Sequence, residues 1–179
     1  MDQPEHALAR AQRGDHVAFG ELVREHQSMV YGLACHFLRD ATIAEELAQD
    51  VFLELFQRLE RIQSPEHLRF WLRRVASNRC IDATRRRRLR PQQGLDDVPE
   101  PAARADTGDP MLSDLLRRYV GALPETPRMV VILRFQEDLD PGEIADLLEM
   151  PVNTVKSHLQ RSLALLRDKL AHCRGEVAV

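Results

Sequence analysis

Only three cysteines occur in the 179 residues, Cys35, Cys80 and Cys173. They form no CxxC pair and their number is odd, so neither a disulfide framework nor a paired-thiolate zinc site is expected. Cys35-His36 and His172-Cys173 are metal-type pairs, but a structural zinc site wants four ligands at close, paired spacing, and no metal or other cofactor is expected. Long apolar runs are also missing. Nothing is long enough to cross a bilayer, and the opening MDQPEHALARAQRGD lacks the basic-then-apolar order of a signal peptide, so a cytoplasmic protein without membrane insertion is expected. No stretch alternates apolar with polar residues for long enough to make a strand. A glycine-rich phosphate loop and a nucleophile motif are absent, and the seven histidines are dispersed. The chain therefore reads as a non-enzyme.

What is present is helical spacing, which predicts an all-α protein. Asp15 can cap a helix with Phe19, Leu22, Val23, Val30, Leu33 and Phe37 inward, ending near Asp40. Thr42 to Glu45 has the form of a capping box, opening a helix with Ile43, Leu47, Val51, Leu55 and Leu59 inward. Ser64-Pro65 offers an N-cap followed by proline at the first helical position, launching a helix through Leu68, Trp71, Leu72 and Val75. The expectation for residues 1–90 is three long helices with a short one before them; Trp71, on the apolar stripe, is expected in the core, the alternative being a base-stacking surface with Phe70. Residues 91–110, PQQGLDDVPEPAARADTGDP, carry four prolines and two glycines without apolar periodicity and read as a flexible acidic linker. Residues 111–179 make a second small helical domain, with Asp109-Pro110 as a cap, a break at Pro124, and a further cap at Asp140-Pro141-Gly142-Glu143.

The formal net charge of −3 conceals a segregation. Residues 1–65 hold 6 Lys and Arg against 11 Asp and Glu, net −5, whereas residues 66–90 hold 9 against 2, net +7. The linker returns to −4 with 1 against 5, and residues 111–179 are near balance with 9 against 10. Arginines on an exposed helix are often a solvated face, and Asp82 with Arg86 could form one weak i, i+4 pair. The density of Arg69, Arg73, Arg74, Arg79, Arg85 to Arg88 and Arg90 points instead to a polyanion. Arg74, Asn78 and Arg85 fall roughly on one face, so an amide that can read a base edge sits among groups that hold phosphates.

Residues 143–169 have the pattern of a helix-turn-helix. Ile144, Leu147 and Leu148 share one face of a first short helix, and Val155, Leu159 and Leu163 one face of a second. Asn153 is a candidate N-cap. The start of the second helix then presents Thr154, Lys156, Ser157, His158 and Arg161 to a DNA groove.

Three stretches carry a family resemblance: Ala44 to Phe52, reading AEELAQDVF; Trp71 to Asn78, reading WLRRVASN; and Ile81-Asp82 with Arg85-Arg86. They resemble the second domain of extracytoplasmic-function sigma factors of bacterial RNA polymerase. Leu123-Pro124, Val131 to Phe135, Glu143-Ile144-Ala145 and Thr154 to Ser157 are similar to the fourth domain of the same family. The resemblance covers nearly the whole chain in the family's order. It implies an initiation subunit that binds core RNA polymerase and promoter DNA, that is monomeric when free, and that an anti-sigma factor clamps.

The resemblance also implies residue roles. Glu46, Gln49 and Asp50 dock on the clamp helices of the polymerase's largest subunit. Gln63, Ser64, Arg73, Arg74, Asn78, Arg79, Arg85 and Arg86 read and hold the melted minus-ten element, and Thr154, Lys156, Ser157, His158 and Arg161 read the minus-thirty-five element. The chain departs from the pattern at Glu46 and Asp50, where aspartate and glutamate are usual in that order. Glycine is usual at Glu149 and Asn153, and arginine at His158. Two alternatives remain at this point: a sigma-like decoy that sequesters an anti-sigma factor, and a helix-turn-helix regulator that is not a sigma factor.

Overall fold

The computed structural model describes residues 4–89 and 110–176, so the expected linker and the Asp109 cap lie outside the described residues. Among these residues there are helices and no strand, as the periodicity requires. The chain divides into two compact units, Met1–Pro99 and Glu100–Val179.

The first unit holds α1 (Pro4–Gln12), α2 (His16–Leu38), α3 (Ala41–Arg58) and α4 (Pro65–Leu89), with a 3₁₀ turn at Leu59–Arg61. Asp15 caps α2 as expected, its Oδ1 accepting the Val17 and Ala18 N–H groups at 2.9 and 3.1 Å. The bond from Ala18, together with Arg10 at 2.8 Å on the other oxygen, holds the Asp15 carboxyl below the usual carboxylate range. Arg39 ends α2 in the left-handed region at φ 56°, its N–H on the Cys35 carbonyl, so the chain turns sharply into α3. The cap of α3 is Asp40, whose Oδ1 accepts the Ile43 N–H at 3.1 Å; the helix thus starts before the expected Thr42 box, as a single cap without a reciprocal bond from Ile43. Ser64 caps α4, its hydroxyl accepting the His67 N–H at 3.1 Å.

Leu22, Leu33, Phe37, Leu55, Leu68 and Leu72 are fully buried where α2, α3 and α4 meet. Ala18, Ala34, Ala44 and Ala76 are completely covered, and their small side chains let the helices approach closely. Truncating any one of the buried leucines to alanine removes about 2–5 kcal/mol. Trp71 is only half-buried, a correction to the core position expected for it. The deepest stripe of α4 runs through Leu68, Leu72, Ala76 and Cys80, and Trp71 lies at its edge. Cys35 and Cys80 are buried, and desolvation pushes both thiols up, Cys80 to about 12, so neither is a nucleophile.

The second unit holds α5 (Pro110–Gly121), α6 (Glu125–Phe135), α7 (Pro141–Leu148) and α8 (Val152–Glu176). Asp140 and Glu143 form the full reciprocal box at the start of α7, with bonds of 2.7 to 2.9 Å. Met129, Val130, Leu133, Ile144, Leu147 and Val155 fill the core. Glu149 closes α7 at φ 53°, a conformation that costs a non-glycine residue about 1–2 kcal/mol. Asn153 is not the N-cap. The helix already begins at Val152, the Pro151 carbonyl receives the Thr154 and Val155 N–H groups, and Asn153 faces outward. The helix is also long rather than short, at 25 residues.

His26 is buried, with Arg69 and Arg73 of α4 near enough to act on its imidazole electrostatically. Desolvation lowers its pKa; Glu25 opposes this, while Arg69 and Arg73 reinforce it. A histidine whose folded pKa is depressed binds fewer protons when folded, so its contribution is intact above the unfolded value and lost as pH falls below it. The thermal midpoint of the first unit should therefore fall as pH drops from about 6.5 toward 5. In His26→Gln, measured by circular dichroism over the same range, that part of the slope should vanish.

Candidate functional site

The outward side of α4 carries Asn78, Asp82 and Arg85 on successive turns, all exposed, with Arg74 half-buried one turn earlier. Among the described residues no hydrogen bond engages the Asn78 side chain, so its amide can offer a donor and an acceptor together. Arg85 and Arg86 are exposed and have no acidic partner among the described residues, and the Asp82–Arg86 pair is not formed. Arg73 is half-buried and close enough to His26 to act on it electrostatically. Arg87 turns back to Asp40 at 3.2 Å, locking the C-terminal part of α4 onto the start of α3. Gln63 is exposed in the loop before α4, whereas the Ser64 hydroxyl is occupied by the helix cap.

Arg79 points to α3. Its Nε and Nη2 both meet Glu54 Oε2, at 3.2 and 2.7 Å, and its Nη1 reaches Asp50 Oδ2 at 3.2 Å. Glu54 is the sheltered partner, with 19% of its side chain exposed against 63% for Asp50, so the bonds to Glu54 carry most of the attraction. Two residues expected in different sites, Asp50 and Arg79, are thus neighbours across one open cleft of about 320 Å³, lined also by Leu53, Gln57 and Arg58.

Glu46 and Gln49 are exposed beside Asp50 on the outer side of α3. One and two turns beyond Gln49, Leu53 and Phe56 are 58% and 46% exposed, two apolar members of this face that sequence reasoning did not pick out. Phe56 stacks on His16 and meets Phe19 edge-on, with centroids 5.9 and 5.1 Å away. Both residues were detectable, because they fall outside the Leu47-Val51-Leu55 stripe while succeeding Gln49 at helical spacing. The outer face of α3 therefore combines carboxylates with an apolar patch, a composition suited to a protein partner.

On α8 the buried side runs through Val155, Ser162 and Leu166. Thr154, Lys156, Ser157 and Arg161 are exposed, and His158 is half-buried at the margin. The Ser157 hydroxyl donates to the Asn153 carbonyl at 2.9 Å. Asn153 and Gln160 lie in the middle of the exposed arc. Sequence reasoning did not place them there, Asn153 because its residue type favours a cap, Gln160 because charged and hydroxyl groups dominate the pattern around it. Each carries an amide of the kind that reads base edges. Among the described residues no group of three or more His, Cys, Asp or Glu side chains could hold a metal, and no helix is long and apolar enough to cross a membrane.

These two helical units match two parts of one class of protein: Sigma-70 region 2 over residues 22–90 and Sigma-70, region 4 over residues 113–166. The "ECF RNA polymerase sigma factor SigE" of Mycolicibacterium smegmatis is 32% identical over 190 residues, covering 99% of this chain and 72% of that protein. The "Probable RNA polymerase sigma factor RfaY" of Xanthomonas campestris pv. campestris is 30% identical over 92% of this chain, which spans only 43% of that longer relative. Among solved structures, the sigma factor RpoE of Bartonella quintana, in complex with the anti-sigma factor NepR, shares the fold. Its TM-score is 0.70 at 19% identity, over 86% of this chain and 96% of that one. The chain belongs to the extracytoplasmic-function sigma factors of RNA polymerase.

The geometry at Arg79 yields a stability prediction. Arg79→Ala strips the bonds from a carboxylate that is mostly covered and should cost the first unit about 1 kcal/mol in a urea titration. Arg85→Ala, at an exposed arginine without a described partner, should leave the urea midpoint unchanged.

Proposed function

We propose that the chain binds core RNA polymerase through the outer face of α3 and directs promoter recognition with α4 and α8. The observation that carries this reading is the first unit's division of labour. Exposed Asn78, Arg85 and Arg86 sit on one helix, and exposed Glu46, Gln49 and Asp50 with Leu53 and Phe56 on the helix packed against it.

On this reading Asn78 reads an unstacked base of the melted minus-ten strand, and Arg73, Arg74, Arg85 and Arg86 hold its phosphates. Gln63, exposed in the loop before α4, reads beside it, and Ser64 serves that loop as its cap. Arg79 is reassigned from phosphate contact to bracing α3 against α4, because its guanidinium is already engaged by Glu54 and Asp50. Thr154, Lys156, Ser157, His158 and Arg161, joined by Asn153 and Gln160, meet the duplex at the minus-thirty-five element. The role is recognition in the cytoplasm, without catalysis by this chain. An anti-sigma factor, the kind of partner seen with the Bartonella quintana protein, is the expected antagonist. A decoy that only captures such an antagonist would have no use for an exposed amide among exposed arginines.

Run-off transcription with purified core polymerase and a promoter library at low salt tests this. Transcripts should depend on the chain; absence of both core binding and transcript would overturn the reading. Asn78→Ala should lower initiation by about tenfold or more while core affinity is kept. Asp50→Lys should weaken core binding first. Equal loss of both properties in Asn78→Ala would make Asn78 structural.

A further inference from the structure

The peptide bond between Ile62 and Gln63 is held at both polar ends by side chains from two other parts of the unit. Its carbonyl, on Ile62, accepts from Gln12 Nε2 at 2.7 Å, and its N–H, on Gln63, donates to His67 Nδ1 at 3.1 Å. Gln12 lies at the end of α1, 50 residues earlier, and spends its second amide hydrogen on the Leu59 carbonyl at 3.0 Å. His67 lies in the first turn of α4, and its own N–H is tied to the Ser64 hydroxyl. Leu59 and Ile62 are buried, which pins the apolar side of the same segment. Every peptide group from Leu59 to Ser64 that these bonds reach is thereby fixed, and the exposed Gln63 side chain is left as the free group at the tip.

The buried Leu59 and Ile62 carbonyls need partners for the fold alone, but the bond from the exposed Gln63 N–H to His67 goes beyond that need. Loop backbone usually satisfies itself with water, and ordering it costs conformational entropy that folding must recover elsewhere. A side chain that must read one base from a melted strand gains from such ordering, because the entropy is then lost before binding rather than during it. Glutamine has both a donor and an acceptor, so its direction decides which base edge it matches.

We propose that Gln12 and His67 are positioning residues for promoter-strand recognition: by clamping the Ile62–Gln63 peptide from opposite sides they aim the Gln63 amide at a single base. The inference rests on the reading above, in which this loop meets the minus-ten strand. Gln12 and His67 do not touch DNA themselves. They act through the orientation of Gln63, and α1 serves as the loop's buttress.

The test is transcription by core polymerase with the full chain on templates randomised across the minus-ten element, with sequencing of the transcripts. Gln63→Ala should flatten base preference at one position. Gln12→Met, which keeps the side chain's length but has no donor, and His67→Leu should flatten the same position, by about tenfold for loss of a hydrogen bond or two. His67→Asn keeps an acceptor near the place of Nδ1 and should retain the preference. Core affinity and helicity should stay as in the parent chain, and the histidine pair serves on its own if Gln12→Met fails to fold. A uniform drop in transcription with base preference unchanged would show that the clamp is merely structural and overturn the inference. If Gln63→Ala flattens a position and the clamp variants do not, the inference alone falls. If Gln63→Ala leaves every position intact, the loop's part in the proposed function falls with it.

Discussion

Eight arginines on α4 repel one another, and the first unit is arranged around keeping that helix in place. Its hold is one apolar stripe, Leu68, Leu72, Ala76 and Cys80, sunk between α2 and α3 until none is more than 1% exposed. Arg79 is paired with Glu54 and Asp50, Arg87 with Asp40 and Arg69 with Glu66. The burial stabilises the helix enough to leave Arg85 and Arg86 uncompensated at the surface. Unbalanced charge is costly to a fold and useful to a polyanion-binding one, since each phosphate contact releases a counterion.

That constraint also explains why opposite chemistries sit side by side. The carboxylates of α3 that face α4 serve as its counterions, and those a turn away face outward with Leu53 and Phe56. One helix thus contributes both to the brace and to an exposed face of carboxylates and apolar side chains. Arg79 marks the junction: its bonds belong to the fold, while the Asp50 carboxylate it touches remains 63% exposed. The second unit solves a simpler problem. A capped α7 and the left-handed turn at Glu149 set the long α8 so that one side is buried through Val155 and Leu166 and the other is open to solvent.

Much of this was legible in sequence because it is local. The caps at Asp15, Ser64 and Asp140 and the inward leucines of the first unit follow from residue type and spacing, whereas Leu148, Leu159 and Leu163 are only half-buried. The failures were of two kinds. Thr42 and Asn153 each stood within two residues of another acceptable helix start, and a local rule does not choose between neighbours; the Arg87 contact to Asp40 and the Pro151 carbonyl do. The partners of Arg79 and Gln12 were invisible for a different reason. They lie 25 to 50 residues away, and charge density cannot say which arginine faces solvent and which faces another helix. Leu53 and Phe56 were readable as breaks in the inward stripe, and Trp71 was misplaced because it sits at the edge of a stripe narrower than periodicity suggests.

On the proposed reading α3 faces the polymerase while α4 faces the promoter strand. A photoreactive amino acid placed singly at Gln49 or at Asn78, with irradiation of the open promoter complex, tests it most directly. Gln49 should crosslink to the largest polymerase subunit and Asn78 to the melted strand of the minus-ten element. Crosslinking of both positions to the same partner, or of Asn78 to protein alone, would contradict it.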